Sequence, residues 1–116
     1  MTREEILKAL EDGVTSWGMY VVNWDAMEAL EAVAEPFTYV KPILDIIAAH
    51  PDVDFGIPGE LVHFVEKFSE QGYEELLIES VRKSPTPHNI WMAHRCYNDN
   101  NSPFRERIGN LIQELR

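Results

Sequence analysis

Apolar positions along most of this chain recur at intervals of three and four residues, the period of an amphipathic helix. Ile6, Leu7 and Leu10 follow Thr2-Arg3-Glu4-Glu5, which matches a capping box with Thr2 as N-cap and Glu5 at the third helical position. Asp12-Gly13 then ends the first helix. A second helix is capped by Asn23 or Asp25 and runs to Glu35-Pro36, with Ala26, Ala29, Leu30, Val33 and Ala34 on its inner side. A third spans about Thr38 to His50 with Val40, Ile43, Leu44 and Ile47 inward, and Pro42 is tolerated in its first turn. Leu61, Val62, Phe64, Val65 and Phe68 define a fourth, with Glu60, His63, Lys67 and Glu70 opposite. After Gly72, Tyr73, Leu76, Leu77, Ser80 and Val81 mark a fifth. The last, capped by Ser102-Pro103, carries Phe104, Ile108, Leu111, Ile112 and Leu115.

Two stretches depart from that regularity. Val14 to Val22 has no clear period; Met19-Tyr20-Val21-Val22 could be a short strand, but no second strand signal pairs with it. It reads as loop or irregular helix with Trp17 packing inward. Thr86 to Asn98 opens with Thr86 as N-cap and Pro87 at the first helical position. Tyr97, Ile90, His94, Asn98 and Trp91 project on one face and Met92, Cys96 and Ala93 on the other, so this sixth helix reads as a buried axle. Its polar residues then need partners. Glu66, His94, Arg95 and Asn98 are expected to form a structural polar core, with Arg95 paired to Glu66 or Glu74.

The fold class that follows is all-α: about seven short helices in antiparallel hairpins, stacked in a single layer or a HEAT-like array within one domain, residues 1–116. Pro51 to Gly59 is the longest loop signal, with Gly56-Ile57-Pro58-Gly59 as a turn. Asn98-Asp99-Asn100-Asn101 ends the sixth helix. The apolar runs are too short to span a bilayer, and Met1 to Glu5 lacks a leader-like apolar region. The single cysteine excludes an internal disulfide. A cytoplasmic location is expected.

Charge changes the picture. The formal net charge is −10, which opposes binding to a phosphate backbone. From Asp12 to Glu79 there are fourteen acids and only Lys41 and Lys67, a net −12, so the rest of the chain is +2. An acidic surface keeps a protein soluble, and it also steers a basic partner. The second helix concentrates the question. Asp25, Glu28, Glu31 and Glu35 share its outer side with no interleaved cation, and Trp24 projects among them. Like charges at helical spacing cost about 0.2–0.5 kcal/mol per pair. An aromatic ringed by acids is the composition of an interface anchor. Trp24 covering the preceding loop is the structural alternative. Trp24, Asp25, Glu28, Glu31, Glu35 and the loop acids Asp52 and Asp54 are therefore the expected partner-binding residues.

Other constellations carry less. Glu60 and His63 have the Glu-x-x-His spacing of di-iron bundles, and Glu66 lies one turn on, but such sites need a second copy. Asp52-Val53-Asp54 lacks the remaining ligands of a calcium loop. No metal or cofactor is expected. His94 and Cys96 diverge on a helix, so Cys96 reads as an inert buried thiol.

Phe55-Gly56-Ile57-Pro58-Gly59, Tyr73-Glu74-Glu75-Leu76-Leu77-Ile78-Glu79-Ser80 and Pro85 to Arg95 together resemble small helical immunity proteins of bacterial polymorphic-toxin and contact-dependent inhibition systems. The resemblance covers residues 55 to 98 and consists of packing and turn positions. It implies a cytoplasmic, non-enzymatic protein that neutralises one cognate toxin, often a nuclease with a basic cleft. It transfers no toxin-binding residues. The alternative functions are an acidic helical adaptor for a basic protein in another assembly, and a metal-dependent enzyme around Glu60, His63 and Glu66.

Overall fold

Helix starts follow the caps. In the computed structural model, which describes residues 1–56, 59–99 and 102–115, the first helix α1 spans Arg3–Glu11 behind the Thr2 capping box. Thr2 Oγ1 accepts the Glu5 N–H at 3.1 Å, and the Glu5 carboxylate accepts the Thr2 N–H at 2.8 Å. Helix α2 is Trp24–Glu31, with Asn23 as cap accepting the Ala26 N–H at 3.0 Å. A 3₁₀ turn, Pro36–Tyr39, leads into α3, Val40–Ala49. Then come α4 (Glu60–Glu66), α5 (Tyr73–Lys83), α6 (Pro87–Tyr97) and α7 (Arg105–Glu114). The fold is all-α. The expected turn at Gly56 to Gly59 and the expected stop at Asn98 to Asn101 fall partly on Ile57, Pro58, Asn100 and Asn101, outside the described residues.

The central element is α3. It packs against α1, α4, α5 and α6, and Val40, Ile43, Leu44, Ile46 and Ile47 are all buried. Each such side chain contributes about 1.5–3 kcal/mol when fully buried. Helix α2 packs on α1, while α5, α6 and α7 pack on one another. Met92, Tyr73, Leu77, Val81, Ile108 and Leu111 close that side of the core.

Three sequence expectations change here. Helix α6 is not the axle: only Asn89, Met92 and Ala93 are buried, while His94 and Asn98 are exposed. One face meets α3, α5 and α7, and the opposite face is open. Helix α2 stops at Glu31 rather than Glu35. The residue before a proline is disfavoured in helical geometry, and Glu35 takes φ −130° and ψ 72°. Val33 is consequently half-buried and Ala34 exposed. Finally, the fifth helix is rotated from its predicted face: Glu74 and Ile78 are buried where Leu76 and Ser80 were expected.

Candidate partner-binding surface

The segment between α1 and α2 folds back on itself instead of forming a helix. Val14 and Tyr20 make an isolated antiparallel bridge, and Met19 pairs in parallel with Asp54. The Val21 N–H reaches the Gly13 carbonyl at 2.8 Å. Gly18, with φ +88°, makes the reversal, a conformation that costs glycine little. Gly13 is needed for a different reason: a Cβ there would collide with the Val21 carbonyl and the Tyr20 ring. Thr15 Oγ1 donates to the Met19 carbonyl at 2.5 Å and closes the loop.

This geometry sorts the side chains by alternation, as in a strand. Tyr20 and Val22 turn inward against the core. The Tyr20 hydroxyl donates to the Leu10 carbonyl at 2.6 Å, and burial, reinforced by Glu11, pushes its pKa up to about 12. Trp17, Met19 and Val21 stand outward at 67 %, 52 % and 50 % exposure, and Trp24 follows at 64 %. Trp17 therefore does not pack inward; Tyr20 takes that place. Four large apolar side chains stand at least half in solvent within one short stretch. The alternation in Met19 to Val22 was the signal, and its partners are the single residues Val14 and Asp54, each too short to register as a strand.

Val21 and Trp24 line a shallow cleft of ≈ 420 Å³ with Asp12 and Asp25. Asp54 lies on the other side of the segment: Tyr20 N–H donates to its carbonyl at 3.0 Å, and its own N–H donates to Gly18 at 2.8 Å. The two parts of the expected acidic surface are thus joined through residues 18–20. From there an aromatic run continues into the body of the fold. The Tyr20 and Phe55 rings lie 5.2 Å apart, Phe55 and His88 5.4 Å, and His88 and Trp91 5.3 Å.

All seven expected partner-binding residues are exposed, but their charges are not equally free. Lys67 reaches Glu31 at 3.0 Å. Asp12 and Glu11 are met by Lys8 and His50. Among the described residues, no cation lies within ion-pair distance of Asp25, Glu28, Glu35, Asp52 or Asp54. Glu35 belongs to the turn after α2 and not to the helix.

The polar core expected around α6 is half present. Arg95 binds Glu66 with both nitrogens of a fork, Nε to Oε2 at 2.8 Å and Nη2 to Oε1 at 2.9 Å, and stacks over Trp91 at 5.1 Å. The carboxylate raises the Arg95 pKa further. Glu74, the other partner considered, instead accepts the Glu70 N–H with both oxygens at 2.9 and 3.0 Å. His94 and Asn98 are exposed and do not join it. The buried polar residue that sequence reading missed is Asn89. It accepts the Thr86 N–H at 2.8 Å and donates to the Ser84 carbonyl at 2.9 Å. The signal was available: Asn89 stands three residues after the Thr86 cap, where a capping box places its second member.

Cys96 is half-buried, and burial with Glu74 and Glu66 nearby pushes its thiol up to about 12. A thiol so rarely ionised is a poor nucleophile. It lies beside the buried Tyr73 hydroxyl, which has no partner within hydrogen-bond geometry among the described residues. Glu66 is committed to Arg95, so the Glu60, His63 and Glu66 set loses its third member. No group of three or more His, Cys, Asp or Glu residues comes together as a metal cage among the described residues. No described helix is long and apolar enough to cross a membrane.

No family model, no curated protein and no solved structure matches the chain.

Proposed function

We propose that this chain is an immunity-type inhibitor that binds a cognate toxin with a basic cleft, and that it docks through the segment from Trp17 to Trp24. The observation that carries this reading is the set of exposed apolar side chains Trp17, Met19, Val21 and Trp24 beside carboxylates that no described cation neutralises. Interfaces combine an aromatic centre with a polar rim, and a few Trp, Tyr or Arg anchors dominate their energetics. The charges of Asp25, Glu28, Asp52 and Asp54, which no described cation meets, supply the rim. The resemblance of residues 55 to 98 to immunity proteins supplies the class of partner.

The acid rim argues against self-association as the use of this surface. Two copies would each bring a net charge of −10 and place like charges face to face. A basic partner gains from the same field, and steering raises its association rate towards ~10⁸–10⁹ M⁻¹s⁻¹ at low salt. Glu31 contributes less than its position on α2 suggests, because Lys67 already neutralises it.

The test is co-expression with the product of the adjacent upstream gene. The expected result is a complex that protects cells from that product and loses affinity as salt rises. Trp17→Ala with Trp24→Ala should weaken it by about 2 kcal/mol or more, the scale of hot-spot anchors. Charge reversal at Asp25 and Glu28 should slow association with little change in dissociation. Capture of a basic protein with no toxic activity would turn the reading to an adaptor. Full binding by the double tryptophan variant would move the interface elsewhere.

A further inference from the structure

Next to this surface, between the Pro51–Asp54 loop and the first turns of α6, lies a second cleft. Its volume is ≈ 320 Å³, and Asp52, Asp54, His88 and Trp91 line it between the walls of Pro51 and Pro87. Both carboxylates are exposed, and no described cation pairs with either. Asp54 Oδ1 accepts the Gly56 N–H at 2.8 Å, which holds the side chain in one orientation. Burial lowers the pKa of His88 despite the pull of Asp54, so the imidazole is neutral at pH 7 and does not oppose a cation. The nearby cation, Arg95, is already neutralised by its fork on Glu66. The net local charge is therefore negative, and the lining is aromatic and proline-rich. That combination suits a planar cation with an apolar stem.

We infer that the cleft between Asp52, Asp54, His88 and Trp91 receives one arginine side chain of the docking partner. A guanidinium answers each feature: its fork pairs with carboxylates, its plane lies against aromatic rings, and it is weakly hydrated. Lysine would place a compact, strongly hydrated ammonium in the same space. The cleft adjoins the exposed segment directly, since Asp54 is hydrogen-bonded to residues 18 and 20. The inference rests on the partner-binding reading for its biological occupant, but the cleft's preference can be measured without that partner.

The experiment titrates N-acetyl-arginine N-methylamide into the whole protein and follows the indole N–H signals of Trp17, Trp24 and Trp91 by NMR. The expected result is a saturable shift of Trp91 and the His88 ring at millimolar probe, with Trp17 and Trp24 unmoved. The uncharged citrulline analogue should give no saturable shift. D52N with D54N, which keeps the oxygen that accepts the Gly56 N–H, should weaken the response roughly three- to tenfold, the scale of two exposed ion pairs. Unmoved Trp17 and Trp24 signals in that variant verify that it is folded. The inference is overturned by an unresponsive Trp91, by an equal response to citrulline, or by full binding in the double Asn variant. Those results would leave the docking role of Trp17 and Trp24 standing, because it is read from partner capture.

Discussion

The surface from Trp17 to Asp54 and the group of α5, α6 and α7 use similar residues in opposite ways. Around α6, several polar groups are committed inside the fold: Arg95 to Glu66, Asn89 to Thr86 and Ser84, Glu74 to the Glu70 N–H, and Arg105 to the Tyr97 carbonyl at 3.0 Å, while the buried Tyr73 hydroxyl and His88 Nε2 have no hydrogen-bond partner among the described residues. Its large apolar side chains are buried or half-buried. On the other surface, two tryptophans and a methionine face water, and Asp25, Glu28, Asp52 and Asp54 have no cation at ion-pair distance among the described residues. A polar group that is satisfied inside the fold has little left for a ligand. An unsatisfied one on the surface, next to exposed apolar area, is available for recognition. The difference separates residues that hold the fold from residues that can act on something else.

The strongest way to break the comparison is on the packed side. Met92 is fully buried where α6 meets its neighbours. Met92→Ala should cost about 2–5 kcal/mol, as large-to-small core changes do, measured by chemical denaturation. Asn89→Ala comes next. It removes an acceptor for the Thr86 N–H and a donor for the Ser84 carbonyl, leaving buried groups unpaired. A loss of about 2 kcal/mol is expected. If Asn89→Ala were neutral, the polar groups of this side would not be holding α6 in place.

Most of the fold was legible because helical period and caps are local. Thr2, Asn23 and Thr86 mark their helix starts within a few residues; the apolar stripe of α3 packs as its spacing says, as do Ile108, Leu111 and Ile112 of α7, while Leu115 lies past the helix end and is exposed. Which helix lies at the centre was not legible. The stripes of α3 and α6 both look buried, and only the third dimension shows that α6 has an open face. Asp25 and Asp52 were placed on the exposed surface from charge alone, yet what links their neighbourhoods is a pair of one-residue bridges at Tyr20 and Asp54. The bridge to Asp54 is non-local, and a single-residue contact leaves no period to detect. Trp17 faces outward for a local reason: the turn at Gly18, with its positive φ, decides which of Trp17 and Tyr20 faces inward.

Tyr20 tests the joint between the two regions. Tyr20→Phe keeps the ring on Phe55 and loses the hydroxyl that meets the Leu10 carbonyl. At neutral pH the cost should be about 1 kcal/mol. The alkaline behaviour has a definite sign. The folded pKa, about 12, lies above the unfolded value of about 10. Stability from keeping this phenol neutral is full below pH ~10 and lost as pH rises towards 12. The variant carries no such group, so its deficit should shrink across that window and then reverse. Tyr73 and Cys96 also titrate upward, but they are present in both proteins and cancel in the difference.

The smallest expected effect on stability is the most discriminating. Trp17→Ser and Trp24→Ser remove the two largest exposed side chains of the segment, at 67 % and 64 % exposure. If either served mainly to cover the loop beneath it, its loss would expose apolar surface and lower stability by more than 1 kcal/mol, at about 25 cal/mol per Å². The exposures argue that little is covered, and surface substitutions of this kind normally stay within about 0.5 kcal/mol. Each variant should therefore unfold at the wild-type denaturant midpoint within that margin, and lose its partner. Side chains that the fold can discard without penalty, yet that face solvent as indoles, are held there by something other than folding. A large destabilisation would return Trp17 and Trp24 to the packed side of the comparison and remove the physical ground for placing the interface on them.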